Sequence, residues 1–140
     1  MEKKRRVPEA LRRQVRERAH GRCEYCLLHD EDATYSHQAD HVVAEKHGGV
    51  TRFDNPAWSC IKCNHFKGTD LTSIDPQTGR VTPLYNPRQQ NWHRRFHLNA
   101  GRIEPLTASG RTTVSLLRLN EIEQVTHRAG LIQIGRYPRE

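Results

Sequence analysis

The chain has 140 residues, one domain's length, with 34% hydrophobic residues and a mean hydropathy of −0.89. So polar a sequence gains little from apolar burial, and a bound metal would help it fold. Its formal charge of +7 and pI of about 9.6 point to a polyanionic partner, nucleic acid first, and no apolar run nears the ~20 residues that a membrane-spanning helix needs.

The first residues, Met1 to Arg6, are basic but lead into no apolar stretch, so they are not read as a secretory signal. Lys3 to Arg6 read as a solvated end, with a nuclear address or a phosphate-contacting arm as the alternatives. The expected compartment is the cytoplasm, where thiols stay reduced.

A helix is expected over residues 8–20. Pro8 suits its first position, Glu9 favours the positive end of its dipole, and Gly21 stops it. Leu11, Val15 and Ala19 give a narrow apolar stripe, and Arg12, Arg13, Arg16 and Arg18 occupy the other faces. Residues 34–44 read as a strand, residues 45–55 as a loop around Gly48-Gly49, and residues 57–59 as a second short strand. Residues 60–63 form a tight knuckle, and 64–71 read as a short helix.

Beyond residue 72 the pattern is irregular and β-like. Asp75-Pro76-Gln77-Thr78-Gly79 reads as a turn between pairing flanks, Ser109-Gly110 as another turn, and 112–119 as a strand. A last helix is expected from Asn120, a good cap with Glu123 three residues on, ending at Gly130 and followed by a short strand over 131–134. Trp92 and Phe96 are spaced to share a helix face. They are expected to pack this half onto the rest, with base stacking beside Arg88, Arg94 and Arg95 as the alternative.

The cysteines fall into two pairs, Cys23-x-x-Cys26 and Cys60-x-x-Cys63, and none is left over. In a reducing compartment matched CxxC pairs read as metal ligands before disulfides. Four thiolates suit zinc in a closed tetrahedron, so the ion would be structural and not catalytic. A redox motif or four buried free thiols are the alternatives.

Between and after the pairs run Asp40-His41-Val42-Val43-Ala44-Glu45-Lys46-His47-Gly48-Gly49, then Asn55, then Cys60-Ile61-Lys62-Cys63-Asn64-His65-Phe66-Lys67. Over roughly residues 20–70 this resembles the HNH endonucleases, in the subgroup whose two CxxC pairs bracket a ββα-metal core. The resemblance implies an α+β fold. A ββα-metal, treble-clef-like core with its structural zinc and N-terminal basic helix would fill residues 1–71. A β-rich extension packed on that core would fill 72–140.

The resemblance also assigns roles. His41 would be the general base, since imidazole titrates near neutrality. Asp40 and the side-chain oxygen of Asn64 would hold a hard divalent ion, magnesium or manganese. Asn55 would hold the loop and orient His41, and Lys67 would face the phosphate. His65 competes with Asn64 for the last motif position, while Asn64 sets the usual spacing to Lys67. Asp40 and His41 are adjacent, and neighbours on a strand point to opposite faces, so the strand must end or bulge there. Arg12 and Arg16 are further candidates for nucleic-acid contact. His29, His37 and His47 are read as surface or packing residues. Asn86-Pro87-Arg88, Trp92, Phe96 and Gly110-Arg111 resemble a tail of some short HNH proteins that carries no catalytic residue.

The expected activity is metal-dependent hydrolysis of phosphodiesters in nucleic acid, DNA first. A homodimer would serve where both strands are cut. The competing reading is a zinc-stabilised nucleic-acid-binding module that cuts nothing.

Overall fold

The computed structural model describes residues 7–140, so the basic run at Lys3 to Arg6 lies outside the described residues. Helix α1 (Glu9–Arg18) follows Pro8, whose φ of −57° is already helical in φ. The left-handed turn that ends the helix falls on His20, at φ +55°, one residue before the expected Gly21, whose N–H returns to the Arg16 carbonyl at 3.0 Å and whose own φ is +73°. The expected stripe is the buried face: Val15 and Ala19 pack with Leu11 against Trp58 and Ala39.

Strand β1 (Gln38–His41) pairs antiparallel with β2 (Pro56–Ser59), setting Asp40 opposite Ala57 and His41 opposite Pro56. Helix α2 (Ile61–Lys67) packs on β1 and completes a ββα unit. The strand is shorter than the 34–44 expected. Residues 34–36 are exposed, and past His41 the chain turns into a single 3-10 turn at Glu45–His47. Helix α2 starts earlier than expected because Cys60 caps it: Cys60 Sγ accepts from the Cys63 N–H, drawing the second knuckle into the first helical turn.

Strands β3 (Thr72–Ile74) and β4 (Val81–Pro83) form the hairpin expected around the 75–79 turn. Asp75, fully buried, accepts from Gln77 N, Thr78 Oγ1 and both ends of the Arg111 guanidinium. The Arg111 bonds hold its carboxyl well below the usual carboxylate range. A second hairpin, β5 (Phe96–Asn99) and β6 (Arg102–Pro105), was not expected.

Two helices follow, α3 (Ala108–Leu116) and α4 (Ile122–Gln133), so residues 72–140 hold more helix than strand. The segment read as a strand over 112–119 is mostly α3. Thr107 Oγ1 caps it on Gly110 N at 3.0 Å, and the Thr112 and Thr113 hydroxyls return to the carbonyls of Ala108 and Ser109, each at 2.8 Å. Gly110 marks close packing rather than a turn, since a Cβ there would fall 2.5 Å from the Arg95 carbonyl oxygen. Asn120 does not cap α4. It bonds the N–H and carbonyl of Ile103, each at 2.8 Å. Helix α4 passes through Gly130, where nothing crowds the chain, and replaces the short strand expected over 131–134.

One apolar cluster joins both halves, running from Cys23, Tyr25, Val42 and Ala57 to Trp92, Phe96, Ile103, Leu117, Leu131 and Tyr137. Trp92 Nε1 donates to the Tyr25 carbonyl at 2.8 Å, and Tyr137 Oη donates to that of Cys26 at 2.7 Å. Trp92 lies in a 3-10 turn and Phe96 opens β5, so they share no helix face, yet their rings stack with centroids 5.0 Å apart. Both are buried, which leaves neither for a base. No helix among the described residues is long and apolar enough to cross a membrane.

Candidate active site and metal centre

The knuckles meet in the core. The sulfurs of Cys23, Cys26, Cys60 and Cys63 all lie within 4.8 Å of one another, and all four residues are buried. Cys26 Sγ and Cys60 Sγ are 3.7 Å apart. Zinc–thiolate bonds of ~2.3 Å in a tetrahedron separate the sulfurs by about 3.8 Å, so the cluster has the right size. Backbone donors from Cys26 and Cys63 reach Cys23 Sγ and Cys60 Sγ, as thiolates require. Hydrogen bonds among the thiols, from Cys23 first, pull Cys60 well below the ordinary thiol range and push Cys63 well above it. The cluster by itself therefore favours the thiolate at Cys23 and Cys60 and opposes it at Cys26 and Cys63, and a divalent cation is what lets all four ionise. These four cysteines are placed to hold a metal ion.

Glu24, inside the first knuckle, ties that knuckle to β2. Its carboxylate accepts from Trp58 N at 2.7 Å and pairs with Arg88. No spacing in the sequence pointed to Glu24.

His41 closes β1. Its imidazole is 7% exposed and the preceding Asp40 carboxylate 5%. His41 Nε2 lies 2.8 Å from Thr51 Oγ1. Asn55 knits the intervening loop from within: its side-chain oxygen accepts from Val43 N at 3.0 Å, and its amide donates to Val43 O at 3.0 Å and Val50 O at 2.8 Å. Gly49 is required there, because a Cβ would fall 1.6 Å from the Val43 carbonyl oxygen. Asn55 thus holds the loop, while Thr51, which nothing in the sequence marked, holds the ring. The ladder ends at His41, with Asp40 and His41 both paired within it, opposite Ala57 and Pro56.

Helix α2 crosses the end of β1. Lys67 is only 2% exposed, and its Nζ donates to the Val42 carbonyl at 3.0 Å, beside His41. Asn64, one turn earlier, shares that face of α2 and is half-buried, whereas His65 is exposed and meets Phe66 edge-on. Lys67 therefore braces the strand end from inside rather than standing on an outer face.

The arginines singled out on α1 have partners within the chain. Arg12 stacks 4.8 Å over the Trp58 ring and donates to the His37 carbonyl. Arg16 makes a two-pronged pair with Asp30, at 2.6 and 2.9 Å. The acidic turn Asp30–Asp32 also takes Arg136 and Arg139, so much of the basic charge is neutralised locally. Lys46, His47 and Arg52 stay exposed on the loop around His41. His29 and His37 are buried packing residues and His47 is on the surface. A largely apolar cavity of about 320 Å³ opens beside Cys26, Cys60 and Cys63 toward α4, away from His41.

Residues 23–70 match the family described as HNH endonuclease. The match begins at the first knuckle cysteine and takes in Asp40, His41, Asn55 and Asn64. No curated protein and no solved structure matches the chain.

Proposed function

With residues 23–70 an HNH endonuclease domain on an α+β frame, we propose that the chain is a metal-dependent endonuclease hydrolysing phosphodiester bonds of nucleic acid, DNA first. The observation that carries this is the fixed imidazole: His41 sits at a strand end, held by Thr51, next to the buried Asp40. Zinc held by the four cysteines would keep the two knuckles, and hence β1 and α2, in register.

Hydrolysis needs a base for the attacking water and a cation against the charge gathering on the phosphate. His41 is the base. With Nε2–H donating to Thr51 Oγ1, the lone pair for the proton is on Nδ1. Asp40 and the Asn64 side-chain oxygen are the donors for magnesium or manganese, which would supply Lewis-acid charge at the phosphate when bound. Asn55 and Gly49 keep the His41 loop closed. Exposed Lys46, His47 and Arg52 give the basic approach a polyanion needs.

The direct test is cleavage of matched single-stranded, duplex and branched DNA, and a supercoiled plasmid, across a magnesium and manganese titration. Nicking is the expected product, because one such site cuts one strand and a double-strand break needs a dimer or a second encounter. Binding without any cleavage, with every metal and substrate, would make the chain a zinc-stabilised nucleic-acid-binding module instead. Thr51→Val should lower kcat about tenfold with little change in KM, the effect of losing one orienting hydrogen bond to the base. Thr51→Ser should restore it. Equal kcat in the valine variant would separate Thr51 from the chemistry.

A further inference from the structure

Phe53 leaves 47% of its surface exposed on the loop that holds His41, and it belongs to neither apolar cluster. The ring is nonetheless fixed. Arg18, from α1, lays its guanidinium 4.3 Å from the ring centre and donates to the main-chain carbonyls of Phe53 and Pro56. The turn carrying Phe53 is closed by Asn55 N–H on the Arg52 carbonyl at 3.1 Å. A single exposed aromatic is ordinary on a protein surface. One backed by a cation that is itself tied to two carbonyls is held in a set orientation while about half of its surface stays open.

Its place matters as much as its rigidity. Thr51, two residues earlier, touches His41, and two residues of chain span at most ~7 Å. The exposed Arg52 adds positive charge between them. Every nucleobase has a flat π face that stacks on an aromatic ring whatever its sequence. In a continuous duplex that face is already covered by neighbouring pairs, so only an unpaired or extruded base can use the ring.

We propose that the exposed face of Phe53, backed by Arg18, is a stacking platform for an unpaired nucleobase next to the phosphate held at His41, so that the preferred substrate is single-stranded or locally opened nucleic acid. This rests on nucleic acid binding at His41, but not on its being cut.

The test uses the full, zinc-loaded chain carrying His41→Ala, with oligonucleotides bearing the fluorescent base 2-aminopurine. Single-stranded oligonucleotide should bind more tightly than the matched duplex, with quenching of the reporter. Adding Phe53→Leu should weaken binding about tenfold and remove the quenching, while Phe53→Tyr retains both. A Phe53→Leu protein that binds and quenches like its parent, or a parent that prefers continuous duplex, overturns the platform and leaves the nuclease reading standing. A parent that binds no oligonucleotide overturns both.

Discussion

Replacing Cys60 by serine is expected to release the bound zinc and unfold the domain in one step. Cys60 has two jobs: its sulfur is one of the four within 4.8 Å, and it caps α2 through the Cys63 N–H. Serine keeps a cap acceptor but loses the soft ligand, so the difference between the two residues reads the metal. Structural zinc contributes about 10–16 kcal/mol of apparent binding in small domains. A domain this size has about 5–15 kcal/mol of net stability. Losing most of the first removes the second, the more so in a chain with 34% hydrophobic residues. Metal analysis of the reduced wild-type protein should find one zinc per chain, and circular dichroism should show Cys60→Ser largely unfolded at room temperature. A zinc-free wild type, or a serine variant melting with the wild type, would contradict this.

His41→Ala is expected to lower the cleavage rate about 10³-fold, in the range a positioned general base contributes. Zinc content should not change, because His41 is no part of the thiolate cluster. The side chain is buried and bonded to Thr51, so a drop of a few degrees in Tm is expected alongside. Rate loss with intact zinc and near-native melting separates chemistry from scaffold. Full activity in the alanine variant would move the base elsewhere.

The parts of this design that were plain in the sequence are those whose chemistry is local. Two CxxC pairs state a metal centre without reference to anything distant, and Gly48-Gly49 beside Asp40-His41 carries the loop geometry. The 75–79 hairpin was legible because Asp-Pro and Gly are turn residues for backbone reasons. Helix α3 was not, since its Thr, Val and Leu content reads as strand, and what makes it a helix is Thr107's cap together with the i−4 bonds of Thr112 and Thr113. The β5–β6 hairpin was hidden because its turn sets Ala100 at φ +49° before Gly101 at φ +91°, and alanine gives no sign of a left-handed position. Asn120 looked like a cap and is a tertiary clasp on β6.

Around the candidate site the same division holds. Asp40, His41, Asn55 and Asn64 were marked by the resemblance to the HNH endonucleases, while Thr51 and Glu24 were not, because their roles depend on residues brought close only by folding. The α1 arginines show the converse. Their sequence invites phosphate contact, and only the fold shows Arg16 paired with Asp30 and Arg12 laid over the Trp58 ring.

Anomalous diffraction from zinc-loaded crystals soaked in manganese tests the central claim most directly. The arrangement proposed here requires a zinc peak among Cys23, Cys26, Cys60 and Cys63, and a separate manganese peak bound by oxygens of Asp40 and Asn64 with the His41 imidazole alongside. A manganese-free pocket there, with the Asp40 and Asn64 oxygens turned toward different surroundings, would contradict it.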